Sequence, residues 1–116
     1  MADLTKAQLA ARVLEHLGVK AASESAVAVD QALVEEAIDS SHDELRKLGL
    51  VPFATSAIPT WAQNGLRDYV ETEVKPAFGF PMSKAVKEQE QNKAKAKLQA
   101  QVSSHKQAIR VRPEFY

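Results

Sequence analysis

Glu35, Asp39 and Asp43 stand at i, i+4 and i+8, a spacing that lines three carboxylates along one side of a helix. Paired carboxylates run general acid–base chemistry when unequal environments push their pKa values apart, which takes a cleft around at least one of them. Here the three flank an apolar stripe on a plain helix, so they read as an acidic ridge that faces solvent or a partner. His16, His42 and His105 fall on three different segments with no HxxH or HxxxH spacing. A metal held by His42 with Asp39 and Asp43 would need another ligand from elsewhere in the chain. There is no cysteine, no Gly-rich phosphate loop and no GxSxG nucleophile turn. Nothing in this pattern assembles an active site, and no catalysis, cofactor or metal is expected.

Basic chemistry is concentrated late in the chain, in Lys84, Lys87, Lys93, Lys95 and Lys97. At 100° per residue these lysines spread around a helix instead of forming one stripe. No aromatics are interleaved with them for base stacking. A solvated helix surface is the simplest account, with contact to nucleic acid or to an acidic protein as the alternatives. The formal net charge of zero hides this division. Residues 1–58 carry five basic and nine acidic side chains, 59–82 two and three, and 83–116 eight and three. An acidic body with a basic end is suited to meeting two different partners.

The elements that must position these groups are mostly helical. Thr5-Lys6-Ala7-Gln8 fits a capping box, and Leu9, Val13, Leu14 and Leu17 follow at helical spacing up to Gly18. That predicts a first helix over about 5–17. A second runs over about 26–48, from a cap at Ser25 to a stop at Gly49, with Val27, Val34, Ile38, Ser41, Leu45 and Leu48 as its buried stripe. At 1.5 Å per residue it spans about 34 Å, long for so small a domain. Pro52 and Pro59 mark a loop, and Thr60 caps a third helix over about 60–78 with Ala62, Leu66, Tyr69, Val70, Val74 and Ala77 on its apolar face. Pro76 and the "FGFP" that follows end it. Trp61, at its start, reads as a plug beneath the preceding loop.

Residues 83–103 predict a fourth helix with few anchors, Val86, Leu98 and Val102, and therefore one that projects from the core. The last stretch, "QAIRVRPEFY", alternates like a strand, with Ile109, Val111 and Pro113 on one side and Arg110 and Arg112 on the other. It ends in Phe115 and Tyr116 and is expected to be an extended arm whose pairing partner lies in another chain. No apolar run approaches the ~20 residues of a membrane span. The charged N-terminal pattern also argues against a signal peptide.

Two resemblances follow from these segments. The opening "LTKAQLAARVLEHLGVKAASESAVAVDQALVEEAI" is similar to histone-like bacterial DNA-binding proteins, and the likeness ends near residue 40, where a β-saddle is replaced by prolines and more helix. A second covers roughly residues 3–100. Leu17-Gly18-Val19 closes the first helix, Asp43-Glu44-Leu45 precedes Gly49, Ile58-Pro59 opens the third helix, and Ala77-Phe78-Gly79 stops it. In these points the chain resembles the head-to-tail connector, or adaptor, proteins of tailed bacteriophages.

That resemblance implies a small all-α bundle that assembles as a ring, usually of twelve copies, around the DNA channel. Such a ring docks on the portal protein above and on the next tail protein below, at the head–tail junction of the virion. It implies that packaged DNA passes without specific readout and that no membrane is involved. Residues 1–82 would be the bundle core, 83–106 the projecting basic helix, and 107–116 the docking arm. Ile109, Arg110, Val111, Arg112, Pro113, Phe115 and Tyr116 would contact the portal or another partner, and Glu35, Asp39 and Asp43 would face a partner or the channel. The alternative is a small helical nucleic-acid-binding protein using the basic C-terminal third. A cell-wall-degrading activity, ascribed to some connector relatives, has no residue pair here to support it.

Overall fold

The computed structural model describes residues 3–20 and 27–110, with side chains placed as far as Ser104. Among the described residues the protein is all-α, with α1 at Lys6–His16, α2 at Ala28–Lys47, α3 at Thr60–Val74 and α4 at Lys84–Arg110. The capping box forms as the sequence predicts: the Gln8 N–H donates to Thr5 Oγ1 at 3.3 Å, and the Thr5 N–H donates to Gln8 Oε1 at 2.9 Å. Gly18 takes φ 77° and lets the Val19 N–H turn back to the Leu14 carbonyl at 2.9 Å, closing α1. Gly49 ends α2 in the same manner, with the Leu50 N–H on the Leu45 carbonyl at 3.0 Å.

Two helix starts depart from expectation. α2 begins after Val27, without a side-chain cap; the expected cap, Ser25, lies outside the described residues. α3 begins after Pro59, so Thr60 is its first helical residue instead of its cap. Proline needs no partner for an N–H and its φ is set for chain entry, so it starts the helix without help. At the other end α3 tightens into a 3-10 turn over Lys75–Phe78. Pro76 cannot donate to the carbonyl four residues back, which favours the tighter turn over another round of α-helix.

The core draws on every helix. Leu9, Ala10, Val13 and Leu14 of α1 meet Val34, Ile38 and Leu45 of α2 and Leu66, Tyr69, Val70 and Val74 of α3. The α2 stripe holds at Val34, Ile38, Ser41 and Leu45 and fails at its two ends, where Val27 and Leu48 are exposed. Leu50, Val51 and Ile58 of the intervening loop are buried, and Leu4 exchanges two backbone hydrogen bonds with Ile58, at 2.9 and 2.7 Å. The N-terminal segment is thereby fastened to the loop before α3. Trp61 packs edge to face on Phe53, ring centroids 5.8 Å apart, and both rings lie half-buried against the core.

α4 corrects two expectations. Ala94, Leu98 and Val102 are buried, and Leu98 belongs to the central cluster, so over this stretch the helix packs along α3 instead of projecting. Val86, expected as an anchor, is exposed, and Ala94 serves instead. The approach is close because Gly65 faces Leu98: a Cβ on Gly65 would stand 2.8 Å from Leu98 Cγ and Cδ2. A weak stripe suffices where a glycine lets two backbones come together.

The second correction concerns the arm. α4 continues through Arg110, so 107–110, Ile109 and Arg110 among them, are helical and not extended. Extending an existing helix adds one hydrogen bond per residue ordered, and Ser103 to Ala108 contain no breaker. A four-residue alternation does not outweigh that. Proline disfavours helix at the residue before it, so the local block comes only at Arg112-Pro113. Val111, Arg112, Pro113, Phe115 and Tyr116 lie outside the described residues.

Candidate interaction surfaces

The acidic ridge of α2 divides on inspection. Glu35 is half-buried and accepts a hydrogen bond from Gln31 Nε2 at 2.9 Å; the same amide donates to the Ala7 carbonyl at 2.9 Å, joining α2 to α1. Asp39 is paired with Lys6 Nζ at 3.0 Å. Asp43 is exposed and makes no hydrogen bond or ion pair among the described residues. The i, i+4, i+8 spacing places the three side by side as expected, yet two of them serve the α1–α2 contact.

Two polar residues prove to be structural: Glu71, which no spacing singled out, and His42, weighed above as a metal ligand. Glu71 lies on the buried side of α3, its side chain only 6% exposed, and accepts a hydrogen bond from His16 Nδ1 at 2.5 Å. Arg67 Nε stands 3.6 Å from the same carboxylate. Burial pushes the Glu71 carboxyl above its ordinary value, the neighbouring His16 and Arg67 oppose the rise, and Asp68 adds to it. His42 is also buried, and its Nε2–H donates to the Phe53 carbonyl at 2.5 Å. That bond assigns the ring a supporting role under the loop. Among the described residues no group of three or more His, Asp or Glu is placed to hold a metal ion. No helix among them is long and apolar enough to cross a membrane.

The lysines of α4 are largely committed within the chain. Lys97 Nζ binds Asp68 of α3 at 2.7 Å, Lys87 binds Glu73 at 3.4 Å, and Lys93 lies 3.6 Å from Glu90 on its own helix. Lys95 Nζ stands 6.0 Å from the centre of the Tyr69 ring. Tyr69 in turn donates its phenol proton to Glu44 Oε2 at 2.8 Å. Burial, together with Glu44 and Glu73, holds that phenol well above its usual range. Gln91 adds hydrogen bonds to Thr72 at 3.0 Å and Glu73 at 2.7 Å. Lys87 and Lys97, which looked available for a nucleic acid, thus fasten α4 to α3.

What stays open is a groove between α2 and the end of α3. Leu33, Ala37, Val74 and Ala77 line it, with Glu36 and Glu73 on its rims. Val29, one turn before Leu33 on α2, is 74% exposed and extends the apolar strip. Glu36, like Asp43, has no partner among the described residues. No spacing rule singled out this groove, because its lining is shared between α2, the end of α3 and the turn that follows.

Comparison with known proteins returns no matching family model, no matching curated protein and no matching solved structure.

Proposed function

We propose that the protein is a structural, non-enzymatic subunit of a phage particle: a head-to-tail adaptor that forms a ring, docks on the portal and joins it to the next tail protein. The observation that carries the reading is the coincidence of its points of likeness with element boundaries. Gly18 and Gly49 end α1 and α2, Ile58-Pro59 leads into α3, and Gly79 follows the 3-10 turn at its end. A bundle with its longest helices on α2 and α4, exposed apolar residues on the α2 flank and unpaired carboxylates beside them is suited to burial in an assembly.

The nucleic-acid reading has less support, because Lys87, Lys93 and Lys97 already face carboxylates. Its test is binding to mixed-sequence DNA that weakens steeply with salt. For the adaptor reading, the purified protein is mixed with the portal ring of the same phage and sedimented. Co-sedimentation is the expected result, and a portal pellet free of this protein would end the proposal.

A further inference from the structure

We infer that the groove between α2 and the end of α3 is the seat for the C-terminal segment, residues 111–116, of a second copy of this chain. The inference rests on the docking-arm reading above and names the partner that the arm meets. Its first support is chemical. The groove offers an apolar floor at Leu33, Ala37, Val74 and Ala77 and, on its rim, the Glu36 carboxylate, which has no partner among the described residues, with Val29 continuing the apolar strip. The segment offers the complement in sequence: Val111, Phe115 and Tyr116 are apolar, while Arg112 is cationic. Arginine forks onto carboxylates and aromatics in a groove are the residues that most often anchor such contacts.

The second support is length. α4 starts beside the groove, where Gln91 binds Glu73 at 2.7 Å and Lys87 binds it at 3.4 Å. It then runs antiparallel to α3, past Asp68 at Lys97 and past Gly65 at Leu98, to Arg110. From Gln91 to Arg110 the helix rises about 28 Å away from the groove. Residues 111–116, fully extended, reach back at most about 22 Å. The segment therefore falls short of its own groove, and only another copy can supply it. A contact between two different patches leaves an unfilled groove at one end of the pair and a free segment at the other, so association continues past a dimer.

Sedimentation velocity of the full chain at rising concentration tests this. The expected result is species larger than a dimer. Leu33→Asp spoils the groove, and Val111→Asp with Arg112→Glu spoils the segment; each protein alone should remain monomeric with unchanged far-UV circular dichroism. Mixed in equal amounts, the two retain one good contact between them and should form heterodimers and nothing larger. Should Leu33→Asp fail to fold, the exposed Glu36→Lys replaces it and should weaken association about tenfold. A full chain that is monomeric at every concentration, a groove variant that associates like the parent, or a mixture that stays monomeric overturns the inference. Portal co-sedimentation separates it from the adaptor reading. Portal binding without self-association removes only the present inference, and segment-dependent association without portal binding removes only the adaptor.

Discussion

Glu71 shows how a residue that looks like ordinary surface charge becomes structural. It follows Val70 on α3, and its neighbour on the same helix, Arg67, reaches it only partly, so His16 of α1 completes the pairing. Burial raises its carboxyl pKa above the ordinary value. A carboxyl raised in the folded state favours the fold at low pH, and that contribution is lost as pH climbs through the folded-state value. Glu71→Gln removes the titration. In urea unfolding from about pH 4 to 8, the parent should lose stability relative to the variant as pH rises; parallel profiles would refute this. Ser41 presents a simpler case. Its hydroxyl is buried on the α2 stripe with no hydrogen-bond partner among the described residues. Ser41→Ala should therefore stabilise by about 1 kcal/mol, and a lower urea midpoint would show the hydroxyl to be satisfied.

At the scale of elements, the α3–α4 contact depends on a missing side chain. Glycine within a helix costs about 1 kcal/mol relative to alanine, so Gly65 is retained against local preference. The reason is Leu98, whose Cγ and Cδ2 occupy the space a Cβ would take. Leu98→Ala should cost about 2–5 kcal/mol. Gly65→Ala should be destabilising by about 1–3 kcal/mol despite its better helix propensity. The double variant should lose less than the sum of the two, because truncating Leu98 removes the atoms that alanine at 65 would strike. Additive losses in a thermal-unfolding cycle would place the constraint elsewhere. The lysines of α4 belong to the same contact: Lys97 on Asp68 and Lys87 on Glu73 flank the crossing at two levels. Each such partly exposed pair contributes little by itself, so the apolar crossing dominates the stability and the charges set the alignment.

For the whole molecule, the basic end of the chain divides into a packed part and a part beyond it. α4 accounts for the chain through Arg110, and a truncation after that residue should leave helix content nearly unchanged by far-UV circular dichroism. Under the adaptor reading the same truncation should abolish portal co-sedimentation, and unaltered binding would show that residues 111–116 are dispensable. The local architecture was legible in the sequence because its causes are local. Thr5 and Gln8 cap α1 within one turn, Gly18 and Gly49 end helices where a left-handed residue is needed, and apolar residues recur at the helical period through Val34, Ile38 and Leu45. Where two local preferences competed, as between the strand alternation at Ile109 and the helix already running toward it, the sequence pattern misled. Tertiary structure alone decided which polar groups are partners. His16 meets Glu71 across 55 positions, Lys97 meets Asp68 across 29, and Leu98 seats on Gly65. Such pairings depend on how the helices cross, and a crossing is set by the summed packing of the core, which no short stretch of sequence contains.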